Sequence, residues 1–296
     1  LKIITYINTG NLAVLYDMVS GNKGSFSIDF VNEGFVLHRL TANINVIASD
    51  VEIIYSSVKI EKMDSYEKCV AKLEDHTSEA TATMNSLKKL VGPVSYRFAY
   101  PEIESSILLD DIDRKVFLKT LRAVIGTLDP TLREVTISRD LKDTFIIKRN
   151  NAEIIIQEGK LLNREILSSG TAEGIDVALF LASMLAKDKT FYYCDEHFSY
   201  IQSDIEKRIF GLMLDRIANN EQLIFTTHNT DMLDLNLPKH SYMFLRKKVE
   251  DGECRVSAIS ASEILKRNTD NIRNAVENDV FGSLPDDSLL DELEMG

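Results

Sequence analysis

The spacing of apolar and polar residues changes along the chain, and this spacing predicts the order of helices and strands. Residues 1–18 place apolar side chains near helical spacing. Three β-rich runs follow, and the turn at residues 32–34 predicts a hairpin between the first two. These runs are residues 26–30, 35–40 and 51–55. The first part of the chain therefore predicts a helical start followed by β-rich runs, the first two of which form a hairpin.

The middle of the chain changes to helical patterning. Residues 62–91 are polar and charged with sparse apolar positions, which favours an exposed helical segment. Residues 108–128 place their apolar side chains on one side of a helix. Strands at residues 144–148 and 153–157 follow, and the Asn-Asn pair at 150–151 predicts a short hairpin turn.

From residue 171 onward, helix and strand alternate twice, which implies a parallel sheet with crossover helices. The predicted elements are a helix at 171–187, a strand at 190–194, a helix at 203–217 and a strand at 222–226. Strands at 242–246 and 255–259 predict a hairpin. Ser260 then caps a last helix. Residues 283–296 predict a flexible acidic tail.

The composition is that of an ordinary globular protein, with 44% hydrophobic and 27% charged residues among 296. No run of about 18 apolar residues occurs, so no membrane span is indicated. The three cysteines lie far apart and lack metal-ligand spacing, which favours the reducing cytoplasm. Because the sequence starts at Leu1 without a methionine, we expect the natural start to lie upstream.

The formal net charge of −12 argues against a broadly basic surface for nucleic acid. The charge is uneven, because every charged side chain after Arg273 is acidic. The basic run 246–248 could still meet a phosphate backbone. A solvated strand end explains that run equally simply and is the favoured interpretation.

Two adjacent acids, Asp195 and Glu196, follow an apolar strand at residues 190–194. The carboxyl ends of parallel strands are where open α/β sheets bind ligands. Successive strand residues point to opposite sides, so two adjacent acids can divide their work. Asp195 could hold Mg²⁺ while Glu196 acts as general base toward water. The ordinary alternative is an acidic pair that merely begins a loop.

Small residues, Ser168, Ser169 and Gly170, precede the predicted helix at 171–187. The N-terminus of a helix offers free N–H groups and a positive dipole end, which suits a phosphate oxygen. An ordinary N-cap explains the same residues and is favoured when they are taken alone.

A histidine, His228, follows the buried strand at 222–226. Its imidazole could bridge a γ-phosphate and an attacking water, and the alternative is a satisfied core or loop histidine. His197, beside Glu196, is predicted to pack the following loop.

The order of these motifs resembles the ABC-type ATPase head of the OLD-like and SMC-like branch of prokaryotic AAA family ATPases. Residues 161–248 carry the resemblance. Within them, 167–171 is similar to the signature motif, 191–196 to the Walker B strand and 225–228 to the switch-histidine strand. The resemblance implies an α/β P-loop NTPase fold with a mixed or parallel core sheet, an antiparallel β subdomain and a helical arm or lid.

The same resemblance implies a role for each site residue. Ser168, Ser169 and Gly170 would contact the γ-phosphate of ATP bound by a partner subunit. Asp195 would serve Mg²⁺, and Glu196 would activate water. His228 would sense the γ-phosphate. Residues 1–61 and 131–282 would form the two parts of the head, with a helical arm or lid at 62–130 and the tail at 283–296.

One part of such an ATPase is missing, because Gly-x-x-x-x-Gly-Lys-Ser/Thr occurs nowhere in the 296 residues. We expect this Walker A segment just before Leu1, and ATPase activity is conditional on it. The leading hypothesis is a head that binds and hydrolyses ATP, dimerises around it and couples the cycle to a partner or DNA. The resemblance implies a role in phage defence or DNA maintenance and an effector nuclease as a possible partner.

Two other classes of function stay open. The first is a non-catalytic interaction module that keeps the head fold without a P-loop. The second is a metal-dependent hydrolase that uses Asp195, Glu196, His197 and His228 as ligands. The apolar strands and the signature turn have no explanation under this second alternative, which ranks last.

Overall fold

Most of the chain is described by the computed structural model, and the chain divides into two compact units. The described residues are 6, 11, 13–16, 19, 21–31, 34–75, 80–81, 96–99, 109, 112–149, 152–157, 160–187, 189, 191–250, 252–267 and 269–285. The first unit comprises residues 1–195 and 216–225, and the second comprises 196–215 and 226–296. The predicted boundaries of head, arm and tail stay a prediction.

The strands of the described residues fall into four sheets. In chain order they are β1 Lys23–Val31, β2 Val36–Asn45, β3 Asp50–Lys59, β4 Ala80–Thr81, β5 Tyr96–Ala99, β6 Leu132–Ile137, β7 Thr144–Arg149, β8 Ala152–Gln157, β9 Lys160–Leu161, β10 Phe191–Asp195, β11 Gln222–Thr226, β12 Met243–Glu250 and β13 Glu253–Ser260. The sheet orders are β1-β2-β3-β4, β11-β10-β5, β12-β13 and β6-β7-β8-β9.

The α-helices of the described residues differ widely in length. They are α1 Ala13–Tyr16, α2 Tyr66–Asp75, α3 Arg114–Leu128, α4 Ser169–Ala186, α5 Ser203–Leu214, α6 Ala261–Ile264 and α7 Ile272–Glu277. Short 3₁₀ helices lie at Arg164–Ile166, Thr230–Leu235 and Lys239–Ser241.

The antiparallel sheet β1-β2-β3-β4 belongs to the first unit and confirms the three predicted β-rich runs as strands. Leu40, Ala42 and Ile44 alternate along β2 and are buried, so one face of this strand forms the core. Most of the predicted helix at residues 1–18 lies outside the described residues.

The predicted helix at 62–91 is confirmed only in part. Helix α2 occupies ten of its residues, and residues 82–91 lie outside the described part. Ala80 and Thr81 form a strand instead, because they pair with Tyr55 and Ile54 of β3. A long-range ladder has overridden the local helical pattern there.

Helix α4 belongs to the core of the first unit. It packs against α3 and β5, and residues on all its sides are buried. By length and composition it is apolar enough to cross a membrane, with mean hydropathy 1.2. However, 72% of it is buried, and such burial is typical of a core helix.

The predicted parallel sheet contains β11, β10 and β5 in that order. Strand β10 pairs in parallel with β5, from Phe191 opposite Tyr96 to Cys194 opposite Ala99. The parallel arrangement and two of the strands were expected from the alternation of helix and strand. Strand β5, only four residues long, was not.

The second unit has a small core of its own. Ala261, Ala275, Val276 and Phe281 form it, and Phe281 stacks on Phe244 with ring centroids 4.0 Å apart. Strands β12 and β13 confirm the predicted hairpin. Ser260 caps a helix as predicted, but α6 has only four residues and α7 follows it. The predicted tail lies largely outside the described residues.

Candidate active site

Asp195 ends strand β10 in the first unit. The strand alternates in burial, with Tyr192 and Cys194 fully enclosed and Asp195 half-buried. The phenol of Tyr193 donates to Oδ1 of Asp195 at 3.4 Å, near the limit for a hydrogen bond. A carboxylate at the carboxyl end of a parallel strand is suited to Mg²⁺, which prefers oxygen ligands. Its metal-binding role stays a prediction.

Glu196, the first residue of the second unit, has an unusual backbone. Its φ of 45° lies in the left-handed region, which costs a residue with a Cβ on the order of 1 kcal/mol. The Glu196 N–H donates to the carbonyl oxygen of Thr226 at 3.2 Å and to its Oγ1 at 3.0 Å. The hydroxyl of Ser199 donates to the Glu196 carbonyl at 2.9 Å. These bonds hold the strained residue in place.

The side chains of Glu196 and His228 meet, although each follows a different strand. Glu196 Oε1 lies 2.9 Å from His228 Nε2, with side-chain exposures of 45% and 85%. An exposed pair of this kind contributes at most about 1 kcal/mol to stability. This small contribution does not explain why the pair is kept on a strained backbone. Such strain is typical of functional sites. A carboxylate in contact with an imidazole can accept a proton from water.

The segment from Thr226 to Asn229 is held by a buried network within the second unit. Glu206, on helix α5, is only 3% exposed. Its Oε1 accepts a hydrogen bond from Thr227 Oγ1 at 2.7 Å, and its Oε2 accepts one from Asn229 Nδ2 at 2.6 Å. The backbone N–H of Asn229 donates to Thr227 Oγ1 at 3.0 Å. The network therefore contacts the residues on both sides of His228.

The predicted signature residues lie at the start of helix α4, in the first unit. Ser168 is the N-cap, and its Oγ accepts a hydrogen bond from the Thr171 N–H at 3.2 Å and lies 2.8 Å from Thr171 Oγ1. The helix begins at Ser169, two residues earlier than predicted, because the serine cap satisfies its first turn. Ser169 and Gly170 are thus helical. The contact of all three residues with a γ-phosphate stays a prediction.

His197 is buried in the second unit, as expected of a residue that packs the following loop. It is 3% exposed, and burial lowers its pKa to about 4. Within the described part of the chain, no three His, Cys, Asp or Glu side chains form a group able to hold a metal ion. The metal-dependent hydrolase therefore gains no support from the side chains that are described.

Sequence reasoning identified the catalytic candidates but missed the residues that hold them. No role in the site was predicted for Thr226, Thr227, Asn229 or Glu206. One signal was present, because Glu206 shares a face of α5 with the buried residues Ile209, Phe210 and Met213. An acid at i with apolar residues at i+3, i+4 and i+7 points toward the core and needs partners there.

The fit to ATP and Mg²⁺ is partial. Asp195 supplies a carboxylate for Mg²⁺, and the Glu196–His228 pair supplies a proton acceptor with its partner. The start of α4 supplies helix N–H groups for a phosphate oxygen. The glycine-rich cradle for the remaining phosphates is not encoded in these 296 residues.

Two solved structures show which fold this is. An SMC head bound to the C-winged helix domain of ScpA matches with a TM-score of 0.55 and 12% identity, over 89% of this chain and 87% of that chain. An SMC head domain with an extended coiled coil, bound to the C-terminal domain of ScpA derived from Pyrococcus furiosus, matches with a TM-score of 0.50 and 11% identity, over 90% and 87%. No family model and no curated protein matches.

At this level of identity the likeness establishes the fold alone. The chain has the α/β fold of SMC head domains. The predicted fold class is confirmed to that extent. The OLD-like branch is a finer assignment and remains a proposal.

Proposed function

We propose that this chain is the main part of a head that binds and hydrolyses ATP and dimerises around it. The observation that carries the proposal is the 2.9 Å contact between Glu196 and His228. It is supported by the likeness to an SMC head and by the positions of the two residues, which follow strands β10 and β11 of this chain. The proposal needs a phosphate-binding loop from outside this sequence.

Glu196 is the general base of the proposed reaction. Its carboxylate takes the proton of the attacking water, and a positioned base of this kind contributes about 10²- to 10⁴-fold to a rate. His228 holds the Glu196 carboxylate through Nε2 and would sense the γ-phosphate of bound ATP. Mg²⁺, when bound at Asp195, would offset the negative charge of the phosphate oxygens.

The start of α4 serves the ATP of a partner subunit. The N–H groups of Ser169 and Gly170 belong to the first turn, where no carbonyl of the same helix can accept them. Ser168 keeps this turn in place through its cap to Thr171. The positive end of the helix dipole then faces the incoming phosphate.

The nucleotide cycle of the dimer is proposed to act on a partner protein or DNA. SMC heads in solved structures are bound to domains of ScpA. For this chain we extend the proposal to a cytoplasmic head of the OLD-like branch that works beside an effector nuclease in phage defence or DNA maintenance. Closing and opening of the two heads would be the switch.

The Glu196→Gln variant of the full-length protein tests the proposal. Because glutamine keeps the shape but cannot accept the proton, turnover should fall at least about 100-fold while ATP-bound dimers persist. Phosphate release measures turnover, and light scattering with ATP measures dimers. Asp204→Asn, an exposed acid of the same unit, is the matched control.

Two outcomes would contradict the proposal in different ways. Turnover of Glu196→Gln at the wild-type rate would show that Glu196 is not the base. A full-length protein that neither binds nor hydrolyses ATP would instead favour the non-catalytic interaction module.

A further inference from the structure

Glu206 is a buried acid that the proposed reaction does not use. Its side chain lies on the buried face of α5, beside Ile209, Phe210 and Met213. Removing a carboxylate from water is costly unless hydrogen bonds compensate. Well-packed apolar side chains often stabilise such a position as well as polar ones do. The presence of an acid there points to a need for directed hydrogen bonds.

Both oxygens of Glu206 are used on the same short segment. Oε1 accepts from Thr227 and Oε2 accepts from Asn229, at 2.7 and 2.6 Å. Hydrogen bonds to a charged acceptor are short and about twice as strong as neutral ones. The residue between these two anchors is His228. One carboxylate therefore holds the chain directly before and directly after the histidine.

A second set of bonds fixes the same segment from α5. Ser203 Oγ lies 3.0 Å from Asn229 Nδ2 and donates to Asp231 Oδ2 at 2.5 Å. The N–H of Asp231 donates to Asn229 Oδ1 at 2.9 Å. With its neighbours tied inward, His228 is left pointing outward, 85% exposed and in contact with Glu196.

We infer that Glu206 is a positioning residue, which holds His228 against Glu196 by anchoring Thr227 and Asn229. This inference rests on the proposed ATPase function of the Glu196–His228 pair. Glu206 itself lies within the unit and acts only through the histidine. Small displacements of a catalytic group matter, because a misplacement of about 1 Å can reduce a rate about 100-fold.

The first experiment removes one anchor and then restores it. Thr227→Val keeps the volume but loses the hydroxyl that donates to Glu206, and Thr227→Ser keeps that hydroxyl. In the full-length protein we expect kcat to fall about 10- to 100-fold in Thr227→Val with little change in KM for ATP. Thr227→Ser should stay within about twofold of wild type. Asp204→Ala, exposed on the same helix, is the control.

A double variant separates positioning from a general loss of structure. If Glu206 and Thr227 act through His228, Thr227→Val should change kcat less than about twofold when His228→Ala is already present. Effects that multiply in the double variant would overturn the inference. Should Thr227→Val fail to fold, Glu206→Gln takes its place, since it keeps the volume and one acceptor.

A measurement without ATP distinguishes a failure of this inference from a failure of the proposed function. The protein has five histidines, and the ring signal of His228 can be assigned by NMR from its loss in His228→Ala. In Thr227→Val this signal should move and narrow toward that of a free side chain. An unchanged signal would overturn the inference, whereas full activity of Glu196→Gln would overturn only the ATPase proposal.

Discussion

Two hydroxyl-rich segments carry predicted site residues, and the chain holds them in opposite ways. At Ser168 the hydrogen bonds are local, reaching only to Thr171 three residues later. In the segment from Thr226 to Asn229 they reach far along the chain. Thr226 meets Glu196 across 30 positions, and Thr227 meets Glu206 across 21.

The two segments therefore depend on the rest of the protein to different extents. The Ser168 cap forms wherever its helix forms. It is therefore evidence for a role in helix stability and only indirect evidence for a role in function. The His228 segment has its shape only when α5 and the turn after β10 are in place. A change there should therefore alter both stability and the position of the histidine.

The largest predicted effect is a loss of stability at low pH, and it is caused by His197 in the turn that follows Glu196. Burial lowers the pKa of His197 to about 4, below its unfolded value of about 6.5. Between about pH 4 and pH 6.5 the unfolded chain therefore binds a proton at this histidine more readily than the folded chain does. The stability from neutral His197 is complete above about pH 6.5, and roughly 3 kcal/mol of unfolding free energy is lost as pH falls toward 4.

Urea denaturation at several pH values measures this loss in wild type and in His197→Gln. Burial also lowers the pKa of His38 in the first unit, so the difference between the two proteins is the informative quantity. His240→Gln, an exposed histidine of the second unit, is the control. An equal pH dependence in wild type and His197→Gln would contradict the prediction.

The same contrast explains what could be predicted from the sequence. Helix α4 and strands β10 and β11 have local apolar patterns, and their alternation predicted the parallel sheet. The pairing of Glu196 with His228 was within reach because both follow such strands. The signature turn was equally visible, because a serine cap is a local device.

Features decided by distant partners were not predictable in this way. Strand β5 is four residues long, and only its ladder with β10 defines it. Ala80 and Thr81 became a strand through their pairing with β3. Glu206 looked like one more charged residue on a helix. Its partners, Thr227 and Asn229, lie on another segment, and no local pattern links them.

An effect of intermediate size is expected from Asn229→Ala, which removes one of the long-range hydrogen bonds to Glu206. The change leaves Glu206 with one donor fewer and removes the acceptor for the Asp231 N–H. Losing a hydrogen bond to a buried charged group should lower the unfolding free energy by about 2 kcal/mol. Urea denaturation measures it, with the exposed Asn219→Ala as the control. A loss of unfolding free energy no larger than that of the control would contradict the proposed difference between this segment and the local Ser168 cap.

The smallest effect is expected at the local cap. Ser168→Ala removes the oxygen that accepts from the Thr171 N–H, and losing such a cap lowers stability by about 1 kcal/mol. Ser168→Asp retains a cap acceptor and adds a negative charge that suits a helix N-terminus. Its stability in urea should therefore match that of wild type.

The aspartate variant separates the two roles that Ser168 can have. If the turn only starts a helix, Ser168→Asp should behave like wild type in every measurement. If it also receives the γ-phosphate of a partner's ATP, the added charge repels that phosphate. ATP-driven dimerisation, followed by light scattering, should then be lost in a protein of normal stability. Dimerisation that persists in Ser168→Asp would leave Ser168 as a cap alone, and the phosphate would have to be met elsewhere.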